Sequence, residues 1–244
     1  MKKVAALFIL LIVFCLSMQV YASLRKEVSI WVARNVAPSP KIRLSINTTN
    51  VPVVRMSAKK VPDVMTTLGL EADKIYASIK EQPVKTWTVN LKSSNESSQY
   101  AQRDRYRNRQ VNLPSFACGS YVIAAEGGNA PAYALVNITN LSIVTKRSYR
   151  RILIWVTDAT SNKVQSGVKV TLFKSINEEV TQKDGKKVQV RKMQKINSCL
   201  TAKDGVCTVR VKSDVNIVVL AEKGKDAAFA NSYEFTPDGI LKPY

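Results

Sequence analysis

Histidine is absent from this sequence of 244 residues. Its absence excludes Ser-His-Asp and Cys-His catalysis and removes the commonest side-chain ligand of metals. Acidic residues are scarce too, with 18 Asp and Glu against 37 Lys and Arg, and no glycine-rich phosphate loop follows a strand-like segment. We therefore expect no enzymatic activity, no metal site and no cofactor.

The few carboxylates stand mostly at turns. Asp184, Asp204 and Asp238 each precede a glycine, and Asp-Gly dipeptides supply the positive φ angles that tight turns need. We interpret these aspartates as turn residues rather than as catalytic acids or bases.

Long apolar runs are confined to the amino terminus. Lys2 and Lys3 precede the run "VAALFILLIVFCL", and "VYA" ends at the small residue Ala22. This pattern predicts a signal peptide over residues 1–22 and a secreted or periplasmic protein. A retained membrane anchor is the less favoured alternative because the run is short for a spanning helix.

Only three cysteines follow the predicted signal peptide, and an oxidising compartment favours pairing two of them. Cys199 and Cys207 flank "LTAKDGV", so a hairpin turning at Asp204 would place them opposite each other. Their strand faces disagree, because Cys207 alternates with Val209 whereas Cys199 alternates with polar residues, and a bulge would be needed. We predict a Cys199–Cys207 disulfide with Cys118 as a free thiol, and two buried free thiols are the alternative.

Strict alternation of apolar and polar residues dominates the rest of the chain. In "KIRLSIN" the side chains of Ile42, Leu44 and Ile46 share one face, which is typical of a half-buried antiparallel strand. Short strands of this kind separated by Asp-Gly turns predict β-sandwiches. We expect the core to include inward positions on several such strands, namely Ile42, Leu44, Trp87, Tyr121, Ile154, Val170 and Val209.

Two segments depart from the alternation. Residues 62–82 have mostly helical apolar spacing, with Pro62 suited to a first turn and Gly69 as an interruption; they predict one or two short helices inserted in the first domain, capping an open sandwich end. Residues 93–109 have no apolar face and predict a long surface loop. That loop would be protease-sensitive at its arginines, which are Arg103, Arg105, Arg107 and Arg109.

Both departures precede Asn140, which gives a domain boundary. We expect a first β-sandwich over residues 23–140, with the helical insertion, and a second over residues 141–244. The fold class is therefore mainly β, with two tandem antiparallel sandwiches.

Three basic clusters occur, within residues 103–109, 146–151 and 183–195. We interpret them as solvated faces, since no nucleic-acid module is recognisable and the charge is spread over both domains; no specific nucleic acid is expected. The alternative is a site for a polyanion or an anionic membrane, for which the candidate contacts are Lys146, Arg147, Arg150 and Arg151. Sequons for N-glycosylation occur at Asn47, Asn95, Asn137 and Asn140, where chance matches are expected.

The second half of the chain resembles a known family. "NLSIVTKRSYRRILIWVTDATSNKVQSGVKVTLF", "TAKDGVCTVRV" and "IVVLAEKGKDAAFA" are similar to the amino-terminal macroglobulin domains of the alpha-2-macroglobulin family, particularly its bacterial members. "VSIWVARNVAPSPKIRLSINTTNVPVVRMSA" and "LPSFACGSYVIAAEGGNAPAYALVNIT" look like the preceding domain. The chain lacks the family's proline in Val164–Gly167 and its first aspartate in Thr201–Gly205.

The resemblance implies two macroglobulin-like, immunoglobulin-like sandwiches and a role in endopeptidase inhibition. Cys118 is followed by Gly119 and Ser120, so it does not match the family's Cys-Gly-Glu-Gln thioester, and no bait segment is recognisable. The implied function is an exported scaffold that contributes structural domains to inhibition, with proteases or further macroglobulin domains as partners. The alternative is an autonomous binding or adhesion module that recognises an anionic polymer or surface.

Overall fold

The computed structural model describes residues 25–91, 106–148, 150–181, 187–211 and 217–231. The predicted signal peptide lies outside them. Within them the chain forms two short helices and fifteen strands in four sheets. The elements up to the domain boundary are β1 (Glu27–Val32), β2 (Asn35–Val36), β3 (Arg43–Thr49), β4 (Val53–Lys60), α1 (Thr66–Gly69), α2 (Ala72–Ser78), β5 (Lys85–Asn90), β6 (Tyr106–Asn112), β7 (Gly119–Glu126) and β8 (Ala132–Ile138).

The remaining strands follow Asn140. They are β9 (Leu141–Ser148), β10 (Arg151–Asp158), β11 (Lys169–Thr181), β12 (Lys187–Leu200), β13 (Val206–Arg210), β14 (Ile217–Lys223) and β15 (Asp226–Asn231). Each of the four sheets takes its strands from one side of Asn140 only.

The first sandwich packs the sheet β1-β3-β6 against the sheet β2-β8-β7-β4-β5. Its strands pair antiparallel except for β2 and β8, which are parallel, a departure from the purely antiparallel expectation. The alternation in "KIRLSIN" has the expected result, since Ile42, Leu44 and Ile46 are all buried.

The second sandwich packs the sheet β13-β10-β9 against the sheet β12-β11-β14-β15. The expected core positions Ile154, Val170 and Val209 are buried between the two sheets. Beyond Lys174, β11 pairs with β12 alone among the described residues, and the two strands continue as a ribbon. Ion pairs of Glu179 with Lys187 (2.7 Å) and of Glu178 with Lys192 join the two strands of this ribbon.

Trp87 is a correction to the expected core. It packs against the first core and lies 6.4 Å from the ring of Phe116, centroid to centroid, but it is only partly buried. The reason is its position on β5, which has one neighbouring strand among the described residues and lies at the edge of their sheet. Its indole nitrogen is buried without a hydrogen-bond partner among the described residues.

The loop expected over residues 93–109 is wrong at its carboxyl end. β6 begins at Tyr106 and pairs with β3 from Thr49↔Tyr106 to Arg43↔Asn112, so Arg107 and Arg109 lie in a strand. β6 is an edge strand whose side chains are mostly exposed, and for that reason it lacks an apolar alternation. Arg103 and Arg105 lie outside the described residues.

Candidate functional site: the junction of the two sandwiches

The helical insertion forms two short helices, as predicted, but they contact different sandwiches. Ile75 and Ile79, in and after α2, are buried with Val61 and Val122 against the outer face of the first sandwich. Around α1, Val64, Met65 and Leu68 pack onto a cluster of the second sandwich, which contains Phe173, Val218, Leu220 and Phe229. The insertion therefore joins the sandwiches instead of capping one open end.

The start of α1 is fixed locally. The Asp63 carboxylate accepts a hydrogen bond from the Met65 backbone N–H (3.0 Å), and the Asp63 carbonyl accepts one from Thr66 (3.1 Å). The Thr67 hydroxyl donates to the Val64 carbonyl (2.6 Å). These bonds satisfy backbone groups that a helix of one turn leaves free, and they orient Leu68 toward the second sandwich.

A second contact is built on Asn137 at the end of β8. Its side chain is 3% exposed, and its amide donates to the Ala227 carbonyl (2.7 Å) and to the side-chain oxygen of Asn35 (3.1 Å). The Ser120 hydroxyl donates to the Asn137 side-chain oxygen (2.8 Å). The Asn35 amide in turn donates to the Phe229 carbonyl.

This amide cluster closes a free edge. Ala227 and Phe229 belong to β15, the last strand of its sheet, and their carbonyls would lack partners if no strand lay beside them. Asn35 and Asn137 of the first sandwich supply those partners. Backbone polar groups buried without hydrogen bonds are costly, so the two sandwiches depend on each other for this edge.

The linker between the sandwiches, at Asn140, is fixed by hydrogen bonds to the second sandwich. The backbone N–H of Asn140 donates to the Asp226 carboxylate (2.8 Å), and the Asn140 carbonyl accepts from Ala159 (2.7 Å). The Asn140 side-chain amide donates to the exposed Cys118 sulfur (3.3 Å). A connection bound at both sides has little freedom to act as a hinge.

A cleft of about 480 Å³ lies beside this junction. Its walls come from residues 31–37, from β9 and from β15, with Trp31 and Phe229 as the aromatic members and Arg34 as the charged one. A single cation offers no acid-base pair. No group of three or more metal-binding side chains occurs in the ranges that the structure describes, and neither described helix has the length and apolarity to cross a bilayer.

The Cys199–Cys207 disulfide is present, but its geometry differs from the expected hairpin. Cys199 lies in β12 and Cys207 in β13, which belong to different sheets, and their Cα atoms are 6.2 Å apart. The turn around Gly205 passes from one sheet to the other, so the bridge joins the edge strands of the two sheets and needs no bulge between two paired strands. Cys118 is free and exposed.

The candidate polyanion contacts do not form one surface. Lys146 and Arg151 alternate with apolar residues on the outward face of β9 and β10, whereas Arg147 pairs across from the buried Ile152 and is partly buried itself. Arg150 lies in the turn between the strands. Sequence alternation alone would have separated these side chains into two faces.

Local contacts shift the pKa values of two titratable groups, Asp158 and Tyr121. Hydrogen bonds from the Ser161 backbone and hydroxyl, and from the Thr160 backbone, lower the pKa of the Asp158 carboxyl below its ordinary value. Burial raises the pKa of Tyr121, and the nearby Cys118 adds to the shift. The same hydrogen bonds fix the turn that follows β10 at Asp158.

Comparison with known proteins finds similarity to solved structures only. No family model matches the sequence, and no curated protein matches it either. Among solved structures, the chain is similar to the fragment of native Escherichia coli alpha-2-macroglobulin that spans domains MG0, NIE and MG1, with a TM-score of 0.61 and 15% identity over 85% of this chain and 64% of the fragment.

Two further structures agree. The Escherichia coli fragment that spans NIE and MG1 has a TM-score of 0.56 at 14% identity and is covered over 98% of its length by 86% of this chain. A mutant Salmonella alpha-2-macroglobulin has a TM-score of 0.58 at 16% identity, and 86% of this chain covers 12% of that protein. The resemblance noted in the sequence is therefore confirmed as a likeness of fold: the chain is built like the amino-terminal domains of bacterial alpha-2-macroglobulins.

Proposed function

We propose that the chain is an exported, non-enzymatic frame of two rigidly joined sandwiches, which contributes structural domains to protease inhibition of the alpha-2-macroglobulin type. The junction carries this proposal. Apolar packing by α1 and the Asn137 amide cluster both tie the first sandwich to the second. A protein that must hold distant partners at a fixed spacing needs such a junction, whereas independent binding modules are usually joined by free linkers.

The frame does not trap proteases alone in this proposal. Trapping in the related inhibitors implies a cleavable segment and, often, a thioester, and neither is recognisable in this sequence. The partners are then proteases held by the complete inhibitor, or the further domains of that inhibitor. Secretion or a periplasmic location follows from the predicted signal peptide.

A brief trypsin digest of the purified mature chain tests whether the chain traps proteases by itself. We expect the first cut at Arg103 or Arg105, because Arg107 and Arg109 lie in the paired strand β6 and paired backbone resists proteases. Mass spectrometry locates the cut, and trypsin should then remain fully active on casein. Loss of activity on casein with small substrates still cleaved would mean that the chain traps by itself.

The contribution of the chain to protease inhibition must be tested on the native protein, as its own cells produce it. Antibodies against the second sandwich can isolate the native species, which is then mixed with trypsin. We expect the bound trypsin to cleave small peptides normally and casein poorly. A native species that leaves casein cleavage unchanged would contradict the inhibitor role.

Binding of anionic polymers through the basic clusters is the second candidate, and one observation favours a limited form of it: Lys146 and Arg151 do share an exposed face. The remaining cluster residues lie on other elements. Retention of the chain on heparin that disappears steeply with salt would support this candidate.

A further inference from the structure

The two sandwiches have four outer sheet faces, and three of them need no partner. The α2 segment covers β7 and β8, and the α1 segment covers β11, β14 and β15. The face of β1, β3 and β6 is mainly polar and carries charges of both signs. The fourth face, on β9, β10 and β13, is covered by no described residue.

This fourth face is apolar at one end and basic at the other. Register places Trp155 between Val144 and Val206, then Leu153 between Lys146 and Thr208, then Arg151 between Ser148 and Arg210. We call these nine residues the Trp155 face. Val144 is 45% exposed, and Leu153 and Trp155 are each 40% exposed.

Such a face is unusual for a strand surface in water. Outward positions of a sheet that borders solvent are normally polar, and contiguous exposed apolar groups mark interaction sites. The row of Val144, Trp155 and Val206 has the composition of an interface centre, where aromatic residues are enriched. The charges are of one sign, because the Trp155 face contains three cations and no carboxylate.

We propose that the Trp155 face is a docking surface for another protein whose own surface is apolar at its centre and acidic at its rim. Complementary charge requires carboxylates opposite Lys146, Arg151 and Arg210, and the apolar row supplies the contact that excludes water. The proposal rests on the proposed scaffold role, since it identifies a surface by which the frame holds a partner.

Charge and shape disfavour the other occupants. A second copy docked by the same face would bring its three cations against their equivalents, in a chain that already carries a net charge of +19. A membrane would need apolar groups that reach about 5–10 Å into the lipid boundary. The apolar side chains here are more than half buried and lie in mid-strand beside Lys146 and Arg151.

Site-specific photocross-linking in the producing cells tests the proposal. p-Benzoylphenylalanine replaces Trp155 in one variant and Asn108 in the control, because Asn108 is exposed on the polar face of the first sandwich and lies outside the cleft. We expect irradiation to give one protein adduct from position 155 and none from position 108. Mass spectrometry of the adduct should place the cross-link beside Asp or Glu residues of the partner.

Charge reversal supplies the decisive control. With the cross-linker at position 155, the pair Lys146→Glu and Arg151→Glu should lower the adduct yield at least about tenfold, which corresponds to about 1.4 kcal/mol. Replacing the partner's adjacent carboxylates by Lys should restore it. The urea unfolding midpoint of each variant checks that both exposed substitutions leave the fold intact.

The proposal is overturned by no adduct, an equal adduct from position 108, an adduct with lipid or with a second copy, or a yield that charge reversal leaves unchanged. Failure here is separable from failure of the proposed function. If no adduct forms while the isolated native species still protects casein from trypsin, the scaffold role stands and the docking surface does not.

Discussion

At the scale of single residues, Asn137 links the first sandwich to the second through the hydrogen bond of its side-chain amide to Ala227. It is a sequon position by sequence, yet its side chain is buried and its amide nitrogen donates to both Asn35 and Ala227. A buried amide that already makes these bonds is not available as a glycan acceptor. Asn137 instead stabilises the contact between the two sandwiches.

Asn137→Ala should therefore destabilise the chain by about 2–4 kcal/mol, because it leaves the Ser120 hydroxyl and the Ala227 carbonyl buried without that partner. The measurement is urea unfolding followed by circular dichroism. Asn108→Ala is the matched control, an exposed asparagine in β6, with an expected effect within about 0.5 kcal/mol. Equal effects of the two substitutions would show that the amide cluster contributes nothing.

Trp87 gives a second expectation at this scale. Trp87→Ala should cost about 2 kcal/mol, less than the 3–5 kcal/mol typical of a fully buried ring, since the side chain is only partly buried. Trp87→Phe keeps a ring beside Phe116 and removes the buried indole N–H that has no described partner, so it should cost less than about 1 kcal/mol. Equal losses for Ala and Phe in urea unfolding would refute this assignment of the indole nitrogen.

At the scale of elements, alternation identified the buried positions of β3, β11 and β13, although it placed Trp87 of β5 deeper than it lies. Ile42, Leu44 and Ile46, and likewise Val170 and Val209, were found buried because side chains of period two can reach only one core. The two short helices were also readable, from helical spacing and from Gly69. Both features are determined by residues close together in the chain, so they can be predicted from the sequence.

Features set by distant contacts were not readable. The side chains of β6 are mostly exposed, so the strand has no apolar alternation and its pairing with β3 cannot be read from composition. The contact of Leu68 with the second sandwich and the hydrogen bonds of Asn137 to β15 join residues far apart in the chain. The disulfide joins two sheets because the chain passes from β12 in one sheet to β13 in the other at the turn around Gly205. The sequence of the turn does not indicate which sheet the next strand enters.

The disulfide yields an expectation for this scale. Cys199 and Cys207 are separated by 8 positions, and closing so short a loop stabilises a protein by about 2–3 kcal/mol in the chain-entropy account. The double substitution Cys199→Ser and Cys207→Ser should lower the unfolding free energy by that amount in urea. Cys118→Ser, at an exposed free thiol, should leave it unchanged; a double substitution that behaves like Cys118→Ser would contradict the bridge.

At the scale of the whole molecule, the two sandwiches are joined closely enough that we expect them to behave as one body. Each has its own core, so each would tumble separately if the linker alone joined them. The α1 contact, the closed edge of β15 and the bound linker at Asn140 all oppose that independence. The proposed frame would then have a fixed spacing and, on the Trp155 face, a basic and apolar surface that no described residue covers.

Residual dipolar couplings of backbone amides in the weakly aligned mature chain test this rigidity most directly. Couplings from β3, β4, β7 and β8 determine one alignment tensor, and couplings from β10, β11 and β14 determine another. We expect the two tensors to agree in magnitude and orientation within experimental error when both are expressed in the frame of this structure. Tensors of clearly different magnitude would mean that the sandwiches move independently, and the account of the chain as a rigid frame would then be wrong.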